Sequence, residues 1–576
     1  MTRLAAPSLV PVARLTALFG ALLLAACGGG GPAPAATASD AGSGGAATEP
    51  QQRRLAIAAP AAGVWSGVIP LSMVTPSAAV LPNGKVVMWA SSDRFTDGAP
   101  SGRTYTTLFD PATLTATETL VSNTGHDMFC TGTTNLPDGR ILTNGGKDSA
   151  KTSIYDPVAN TWTTGPMMTI ARGYNANTLT QDGAVLTLGG SWSGGRGNKH
   201  GERWTAATGW QRLTGVPVDS ALGNDPDFAF RADSHMWLFP APNGKVLHAG
   251  PAANMNWIDT QGNGAIAPAG TRGDDLYSQS GNAVMYDIGK VLKAGGSTAY
   301  EGRNASNSAY VIDVNAGVSV RKVVSMAYAR IFSNGVVLPN GQVLIVGGHT
   351  FGKPWDDSTS VLIPELWDPA TETFTKLAPI TSPRNYHSVA LLVPDARVLS
   401  AGSGLCGGCS TNHPDAQVLT PHYLLNEDGS PATRPVINTA PASATHGTSV
   451  GVSTYAPVAS FALVRLGSTT HTVNNDQRRI PLQFTSNGTN AYSLAIPGNP
   501  GVVVPGYYML FALNAAGTPS VAKIIRVSGD AAPKLTNPGT QAGVSGAAVA
   551  LNLSATTPTG TLTYAATGLP PACHPA

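Results

Sequence analysis

The sequence is poor in charged residues, and this scarcity narrows the range of possible partners. Only 12% of its 576 residues are Asp, Glu, Lys or Arg, and the formal net charge is +2. Because no basic cluster is present, nucleic acid is not an expected partner. A GxGxxG motif placed between a strand and a helix is also missing, which argues against a bound dinucleotide.

Long apolar runs are missing too, except near the N-terminus. The run from Leu15 to Ala26 is too short and too early for a membrane-spanning helix, and Cys27 follows it directly. Residues 1–27 therefore resemble a bacterial lipoprotein signal in which Cys27 is lipidated, with an ordinary signal peptide as the alternative. We expect an exported protein, either a lipid-anchored protein of the bacterial cell surface or periplasm or a secreted one.

Cysteine is scarce, with five residues in the whole chain. Exported proteins usually pair their cysteines in disulfides. Cys130 lies in the segment Gly125–Cys130, far in sequence from any other cysteine. A leftover cysteine in such a chain needs an explanation, although a buried cysteine is often only a small hydrophobic residue.

Glycine and proline, in contrast, are abundant, with 66 and 44 residues. Residues 28–54 contain little besides Gly, Ala, Pro, Ser and Thr, which predicts a disordered tether. Beyond them, β-branched and aromatic runs separate the glycines and prolines. This alternation is typical of an all-β protein with many tight turns.

One phrase recurs seven times, as a turn pair followed by a basic or small residue and an apolar strand. The turn pairs are Asn83-Gly84, Asp138-Gly139, Asp182-Gly183, Asn243-Gly244, Ile288-Gly289, Asn340-Gly341 and Asp395-Ala396. Asn-Gly and Asp-Gly pairs favour a type I′ hairpin turn. A Gly-Gly pair follows four of the strands, where we expect packing to leave little room for side chains.

The repeat predicts the fold. Its copies begin 44 to 61 residues apart, a period that suits four-stranded blades of the kelch type. We therefore predict an all-β protein with a seven-bladed kelch-type β-propeller over residues 55–432. Short alternating strands then predict an Ig-like (E-set) β-sandwich over residues 433–530. Residues 531–576 are expected to be a partial Ig-like module or a truncated tail.

Further motifs carry chemistry rather than fold. Each consists of an aromatic, histidine or cysteine residue with distinctive flanks: Cys130, Tyr174, Trp192, Tyr386, His387 and His471. Together they closely resemble the galactose oxidase and glyoxal oxidase family of radical copper oxidases, and the galactose oxidase branch more than the other. The resemblance runs from about residue 64 to about residue 528.

The resemblance implies a role for each of these residues. His387, His471 and Tyr174 would be equatorial ligands of one copper ion, with Tyr386 as the axial ligand. Tyr174 would carry a radical and be joined by a thioether to Cys130. Trp192 would stack over that pair. The resemblance also implies a disulfide between Cys406 and Cys409 near the site.

The pocket departs from the family at two of three substrate positions. Arg231 matches the arginine that helps to hold the sugar in galactose oxidase. Glu301 takes the place of a glutamine, and Trp355 takes the place of a phenylalanine. An ionised glutamate cannot donate a hydrogen bond, and tryptophan occupies more room than phenylalanine. Galactose is therefore only one candidate among primary alcohols.

The expected chemistry explains the residue types. Oxidising an alcohol removes two electrons, whereas copper cycles by one, so a second redox group is needed. We predict an extracellular copper-radical oxidase that converts primary alcohols, with galactose or galactosides as candidates, to aldehydes while O2 becomes H2O2. The chain is expected to be a monomer. The alternatives are a glyoxal or aldehyde oxidase of the same family and a non-catalytic kelch carbohydrate-binding surface protein.

Other histidines receive weaker predictions. His126 and His235 lie in related motifs and are expected to support the structure. His413 is expected to lie just behind the site. His349 and His422 are left open between the neighbourhood of the site and no role there.

Overall fold

The computed structural model describes residues 62–226 and 232–529, and beyond these the backbone of two short strands, Lys534–Leu535 and Ala555–Thr556. The predicted signal, tether and Arg231 lie outside the described residues, as does the predicted tail apart from those two strands. Among the described residues, no helix has the length and apolarity needed to cross a membrane.

Seven antiparallel sheets succeed one another along the chain as the blades of a β-propeller. The chain opens with β1 (Val64–Trp65) and β2 (Ile69–Pro70), which join blade 7. Blade 1 contains β3 (Ser77–Val80), β4 (Val86–Trp89), β5 (Thr104–Asp110) and β6 (Thr115–Val121). Blade 2 contains β7 (Thr131–Asn135), β8 (Ile141–Gly145), β9 (Thr152–Asp156) and β10 (Thr161–Thr164). Blade 3 contains β11 (Ala176–Leu179), β12 (Val185–Leu188), β13 (Glu202–Thr205) and β14 (Gly209–Arg212). Blade 4 contains β15 (Trp237–Pro240), β16 (Val246–Gly250), β17 (Asn254–Asp259) and β18 (Ala265–Thr271). Blade 5 contains β19 (Asn282–Asp287), β20 (Lys290–Ala294), β21 (Ala309–Asp313) and β22 (Ser319–Val323). Blade 6 contains β23 (Asn334–Val337), β24 (Val343–Val346), β25 (Glu365–Asp368) and β26 (Thr373–Lys376). Blade 7 adds β27 (Ser388–Leu392), β28 (Val398–Gly402) and β29 (Asp415–Thr420).

Blade 7 closes the propeller with strands from both ends of its sequence. Val64 pairs with Thr420, and Ile69 pairs with Ala416, so β1 and β2 complete the sheet that β27, β28 and β29 begin. Circular closure of this kind leaves only short, protected strand edges.

The seven recurring turn pairs all lie between the first and second strands of the blades, which confirms the predicted hairpins. The predicted type I′ turn is wrong. Gly84 has a left-handed φ of 84°, but Asn83 does not, and the Gly84 amide donates to the Leu81 carbonyl at 2.9 Å. This is a type I turn followed by a left-handed residue, because Pro82 occupies the second turn position and fixes a negative φ there.

The Gly-Gly pairs allow adjacent blades to approach closely, as expected. A Cβ atom on Gly145 would lie 2.5 Å from the carbonyl oxygen of Arg172, which belongs to the entry of the next blade. The buried guanidinium of Arg172 in turn donates to the carbonyl of Gly189 at 2.9 Å and pairs with Glu202 at 2.7 Å. Equivalent buried pairs, Arg330 with Glu365 and Arg384 with Asp415, recur in later blades.

The C-terminal strands form a curled eight-stranded sheet, in agreement with the predicted sandwich. Its strands are β30 (Ile437–Thr439), β31 (Ser443–Thr445), β32 (Ser449–Thr454), β33 (Ser460–Arg465), β35 (Arg479–Gly488), β36 (Ala491–Ala495), β37 (Gly506–Leu513) and β38 (Lys523–Ser528). Side chains such as Phe461, Leu463 and Leu510 alternate into a shared buried core. Two short 3-10 helices, Val218–Ala221 and His422–Leu424, lie in propeller connections.

The segment between β33 and β35 leaves the sandwich and enters the centre of the propeller. It contains β34 (Ser468–Thr470), which pairs with β3 so that Thr470 faces Ser77. Farther along, the Asn475 side chain donates to the carbonyls of Asn177 and Met236 at 2.9 and 3.2 Å. The segment therefore binds the innermost strands of several blades, and it delivers His471 to the same place.

Candidate active site

Six blades present a residue of unusual conformation just before the innermost strand. Each lies one or two residues before that strand and has a φ between 50° and 69°: Cys130, Tyr174, His235, Ser280, Phe332 and His387. Left-handed backbone is uncommon and strained for residues other than glycine, and it concentrates at functional sites. The Tyr174 amide donates to the Cys130 carbonyl at 2.8 Å, and the His235 amide donates to the Tyr174 carbonyl at 3.1 Å. These bonds link the presented residues from blade to blade.

The sandwich supplies the corresponding residue beside blade 1. His471 follows β34 directly and also has a left-handed φ, of 48°. Because β34 pairs with the innermost strand of blade 1, His471 joins the ring of presented side chains. Two imidazoles and two phenols thus meet from positions scattered over the chain.

Both candidate imidazole ligands are buried and anchored through Nδ1. His387 Nδ1 donates to the Gly404 carbonyl at 2.5 Å, and His471 Nδ1 lies 2.6 Å from the Thr470 hydroxyl. His387 Nε2 has no hydrogen-bond partner, and the ring centroids of the two histidines lie 4.7 Å apart. Burial lowers the pKa of His387 to about 3 and the pKa of His471 well below its usual value. His471 Nε2 lies 3.6 Å from the Cys130 thiol. The neutral imidazole is the form that binds metals.

The two phenols lie against these imidazoles. The hydroxyls of Tyr174 and Tyr386 are 2.6 Å apart. Ring centroids are 4.6 Å apart for Tyr174 and His471 and 3.8 Å apart for Tyr386 and His387. Burial raises the pKa of both phenols far above 10, so both are neutral until a cation is bound beside them.

This donor set fits copper. Within the described residues, no group of three or more His, Cys, Asp or Glu side chains could hold a metal ion. The candidate site instead combines two imidazole nitrogens with two phenol oxygens, and such nitrogen and oxygen sets suit Cu(II). The orphaned Nε2 of His387 and the close pair of buried hydroxyls are the observations that support the fit.

Cys130 and Trp192 flank Tyr174. Cys130 is 3% exposed and carries a free thiol, whose sulfur lies 3.6 Å from His471 Nε2. Burial raises the pKa of the thiol well above its usual value. The indole of Trp192 stacks on the Tyr174 ring, with centroids 4.7 Å apart and an interplanar angle of 24°.

His235 lies in the centre of the site as well. Its ring stacks on His471 at 5.0 Å and meets the edge of Tyr174 at 4.7 Å, while its Nε2 has no hydrogen-bond partner. Sequence reasoning assigned it a supporting role because its flanks match those of His126. His126 itself does support the fold, through Ser153 and the Gly145 carbonyl.

A cavity of about 390 Å³ opens onto these groups. Its lining includes the predicted substrate residues Glu301 and Trp355. Trp355 is 45% exposed, and its ring centroid lies 5.7 Å from that of Tyr386. Two charged residues that the sequence did not single out, Lys147 and Asp97, also line the cavity. Lys147 donates to the Asp97 carbonyl and thereby holds one wall of the cavity in place.

The remaining predicted residues lie at graded distances from this centre. Cys406 and Cys409 form a disulfide two residues after Gly404, whose carbonyl anchors His387. His413 contacts Asp357 at 2.8 Å, just behind the loop of Trp355. The two histidines whose role was left open lie in different places. His349 packs on Phe332, with ring centroids 5.9 Å apart, whereas His422 packs on Tyr423 in a 3-10 helix.

Fold and site together define a copper oxidase built on a β-propeller. Residues 289–409 match the family model for the glyoxal oxidase N-terminus, and residues 434–527 match the galactose oxidase-like early set domain. Galactose oxidase of Gibberella zeae is 44% identical over 484 residues, which cover 81% of this chain and 71% of that protein. The solved structure of a fungal alcohol oxidase with catalytic diversity, in complex with copper, is 40% identical with a TM-score of 0.78, over 81% of this chain and all of that one.

More distant relatives are also found. An aldehyde oxidase of Vitis pseudoreticulata is 27% identical over 445 residues, which cover 70% of this chain and 82% of that protein. At these levels of identity and coverage, the chain belongs to the galactose oxidase family. It is a copper-dependent oxidoreductase that acts on alcohols.

Proposed function

We propose that this protein oxidises primary alcohols to aldehydes and reduces O2 to H2O2 at one copper ion held by Tyr174, Tyr386, His387 and His471. The observation that carries the proposal is the convergence of two anchored neutral imidazoles on two buried hydroxyls 2.6 Å apart. Cys130 and Tyr174 would be joined by a thioether, since both residues line the same cavity and the Tyr174 amide donates to the Cys130 carbonyl at 2.8 Å.

Copper and the linked Cys130–Tyr174 phenoxyl would supply the two one-electron oxidations that an alcohol requires. Tyr386 would accept the hydroxyl proton of the substrate at its own phenolic oxygen, which lies beside the cavity. The Tyr174 hydroxyl lies next to that of Tyr386, so Tyr174 would face the carbon atom that bears the substrate hydroxyl. Trp192 would cover the Tyr174 ring and keep water from it.

The cavity walls suggest a substrate with both an apolar face and hydroxyl groups. Trp192, Tyr300 and Trp355 supply aromatic surface, and Glu301 adds a carboxylate that can accept hydrogen bonds. We propose primary alcohols in general, with galactosides as one candidate. Trp355 would pack on the body of the alcohol, so Trp355→Phe should shift the preference toward bulkier alcohols while copper binding is unchanged.

The cofactor is tested by the mass of the intact protein after copper loading in air. Forming the thioether removes the thiol hydrogen of Cys130 and one ring hydrogen of Tyr174, and O2 accepts both as H2O2. The expected result is a loss of two hydrogens and of the reaction of Cys130 with a thiol reagent. Cys130→Ser is the matched control and should show no mass loss. An unchanged mass in the parent protein would overturn the cofactor proposal.

The substrate class is tested by peroxide release from galactose, glycerol, benzyl alcohol and methylglyoxal. An aldehyde oxidase is the second candidate, because the glyoxal oxidase model matches residues 289–409, which include Glu301 and Trp355. Peroxide from methylglyoxal but from none of the alcohols would favour that candidate. Glycan binding without peroxide from any compound would favour a surface binding protein.

We further propose that residues 1–27 direct export, that Cys27 carries a lipid anchor and that the mature protein is a monomer. Fractionation of cells, with Cys27→Ser as the control, separates an anchored from a freely secreted form. Light scattering of the purified protein gives its mass in solution. A cytoplasmic location of the full chain would contradict the export proposal.

A further inference from the structure

The loop from Ser191 to Lys199 carries Trp192 and lies between β12 and β13. Blade 3 continues only at β13, which begins at Glu202. Gly195 and Gly197 both have left-handed φ values, of 87° and 72°, and a Cβ atom on either would meet no atom within 4 Å. The indole of Trp192 also packs on Tyr300, with ring centroids 5.2 Å apart. Its orientation on Tyr174 therefore depends on this neighbour and on the contacts that fix the two ends of the loop.

Asp233 fixes the end before Trp192. Its carboxylate accepts hydrogen bonds from the Ser191 amide at 2.9 Å and from the Ser191 hydroxyl at 2.6 Å. The Ser191 hydroxyl also accepts from the Gly197 amide at 2.9 Å, which draws the loop back on itself.

Lys199 fixes the end after Trp192. The residue is 2% exposed, and its ammonium donates to the carbonyls of Ser193 at 3.1 Å and Gly194 at 2.9 Å. The same ammonium also donates to the carbonyl of Ala171, three residues before Tyr174. One buried cation thus joins the backbone on both sides of the stacked pair.

Lys199 is a buried lysine whose ammonium is not paired with any carboxylate that the structure describes. Among the described residues, no carboxylate forms an ion pair with it, and its hydrogen-bond acceptors are all backbone carbonyls. Burial, followed by the positive charge of Arg172, lowers its pKa to about 8. The Asp233 carboxylate faces the ammonium but forms no ion pair with it. Burying a charge without a paired counter-charge is costly, whereas a methionine of similar length would fill the space without that cost.

We infer that Lys199 is a positioning residue that holds Trp192 against Tyr174 and so stabilises Tyr174 in its oxidised form. The inference rests on the proposed function of Tyr174. Lys199 reaches the site only through backbone carbonyls, and the candidate copper ligands His387, His471 and Tyr386 lie in other parts of the fold.

The test compares Lys199→Met with Lys199→Arg, which keeps the charge, and with Lys245→Met, which removes an exposed lysine in a blade 4 turn. Copper stoichiometry and the two-hydrogen mass loss should be unchanged in all three variants. The loss of one charge-assisted hydrogen bond weakens an interaction by about tenfold or more. In Lys199→Met we therefore expect the radical absorption to decay about tenfold faster than in the parent protein. In the metal-free protein, amide hydrogen exchange over residues 191–199 should also be faster, and Lys199→Arg should restore part of both properties.

The lifetime of the radical as a function of pH tests the charge of Lys199 separately from its packing. Because the pKa of Lys199 is lowered to about 8, its contacts are complete below that pH and are lost as the pH rises through it. The parent radical should therefore become short-lived above about pH 8, whereas the Lys199→Arg radical should persist. The charged and titratable groups that face Lys199 are Arg172 and Asp233, and across the adjoining cavity lie Arg196, His200 and Arg212.

The outcomes separate this inference from the proposed function. If the parent protein forms no thioether and no radical, the proposed function fails. If the parent forms both, and Lys199→Met matches it in radical lifetime, loop exchange and pH profile, the proposed function stands and the role of Lys199 is refuted. A Lys199→Met variant that binds no copper would also refute the role, since the effect would then not be confined to the stacked pair.

Discussion

Asp476 is a buried carboxylate whose contacts hold the inserted segment of the sandwich against the propeller. Its carboxylate is 3% exposed and accepts from the Thr134 hydroxyl at 2.7 Å, the Asn135 amide at 2.7 Å and the Ser468 hydroxyl at 2.6 Å. The Arg465 guanidinium, 1% exposed, lies 2.6 Å from it. Asp476 therefore connects blade 2 to the inserted segment that carries His471.

Asp476→Asn keeps the size of the side chain and removes its charge. The variant leaves the Arg465 cation buried and unpaired, and breaking a buried pair in this way costs roughly 3 to 5 kcal/mol. A protein of marginal stability has only about 5 to 15 kcal/mol in total, so the loss should be obvious in urea unfolding. We also expect weaker copper binding, because His471 lies five residues before Asp476 in the same insertion.

Two controls make this result specific. Asp428→Asn removes an exposed carboxylate and should leave the unfolding midpoint unchanged. Adding Arg465→Met to Asp476→Asn removes the unpaired cation and should recover part of the lost stability. An Asp476→Asn protein with the parent midpoint and parent copper affinity would show that the insertion is held by other contacts and would refute this account.

Other variants and conditions probe the site and its surroundings. Cys130→Ser should fold and bind copper but lose most peroxide production, and near-normal turnover would contradict the radical proposal. His387→Ala should lower copper affinity strongly in calorimetry, because it removes an unpartnered Nε2 whose ring is preset by the Gly404 carbonyl. Burial lowers the pKa of His126 to about 4 and of His248 to about 3, so the unfolded chain binds more protons than the folded one between those values and about 6.5. Stability of the metal-free protein should therefore fall as the pH is lowered from 7 to 5, by about 2 kcal/mol for each such histidine, and a flat urea midpoint over that range would exclude their burial as neutral groups.

The hairpins of the propeller could be predicted from the sequence because their signals are local. A turn pair, a following apolar strand and a fixed period describe each blade without reference to its neighbours. The turn type was predicted incorrectly for a reason that is also local. Pro82 precedes Asn83 and fixes the backbone of the second turn position, which leaves only Gly84 in the left-handed region.

The candidate site was predicted through its resemblance to a family and not from the physics of single residues. Tyr174 and Tyr386 are 212 positions apart, and Cys130 and His471 are 341 apart, so no local pattern relates them. For the same reason His235 was given only a supporting role, although its ring contacts both Tyr174 and His471.

By itself the sequence determined the class of fold and the number of blades, because turn chemistry and strand alternation act over a few residues. The tertiary structure alone decided which residues meet at the site. Closure of seven blades brings six left-handed residues to one end of the inner strands, and the sandwich inserts His471 beside blade 1. Only there are the imidazoles buried and neutral, the phenols in contact and the Trp192 loop tied to Tyr174 through the buried ammonium of Lys199.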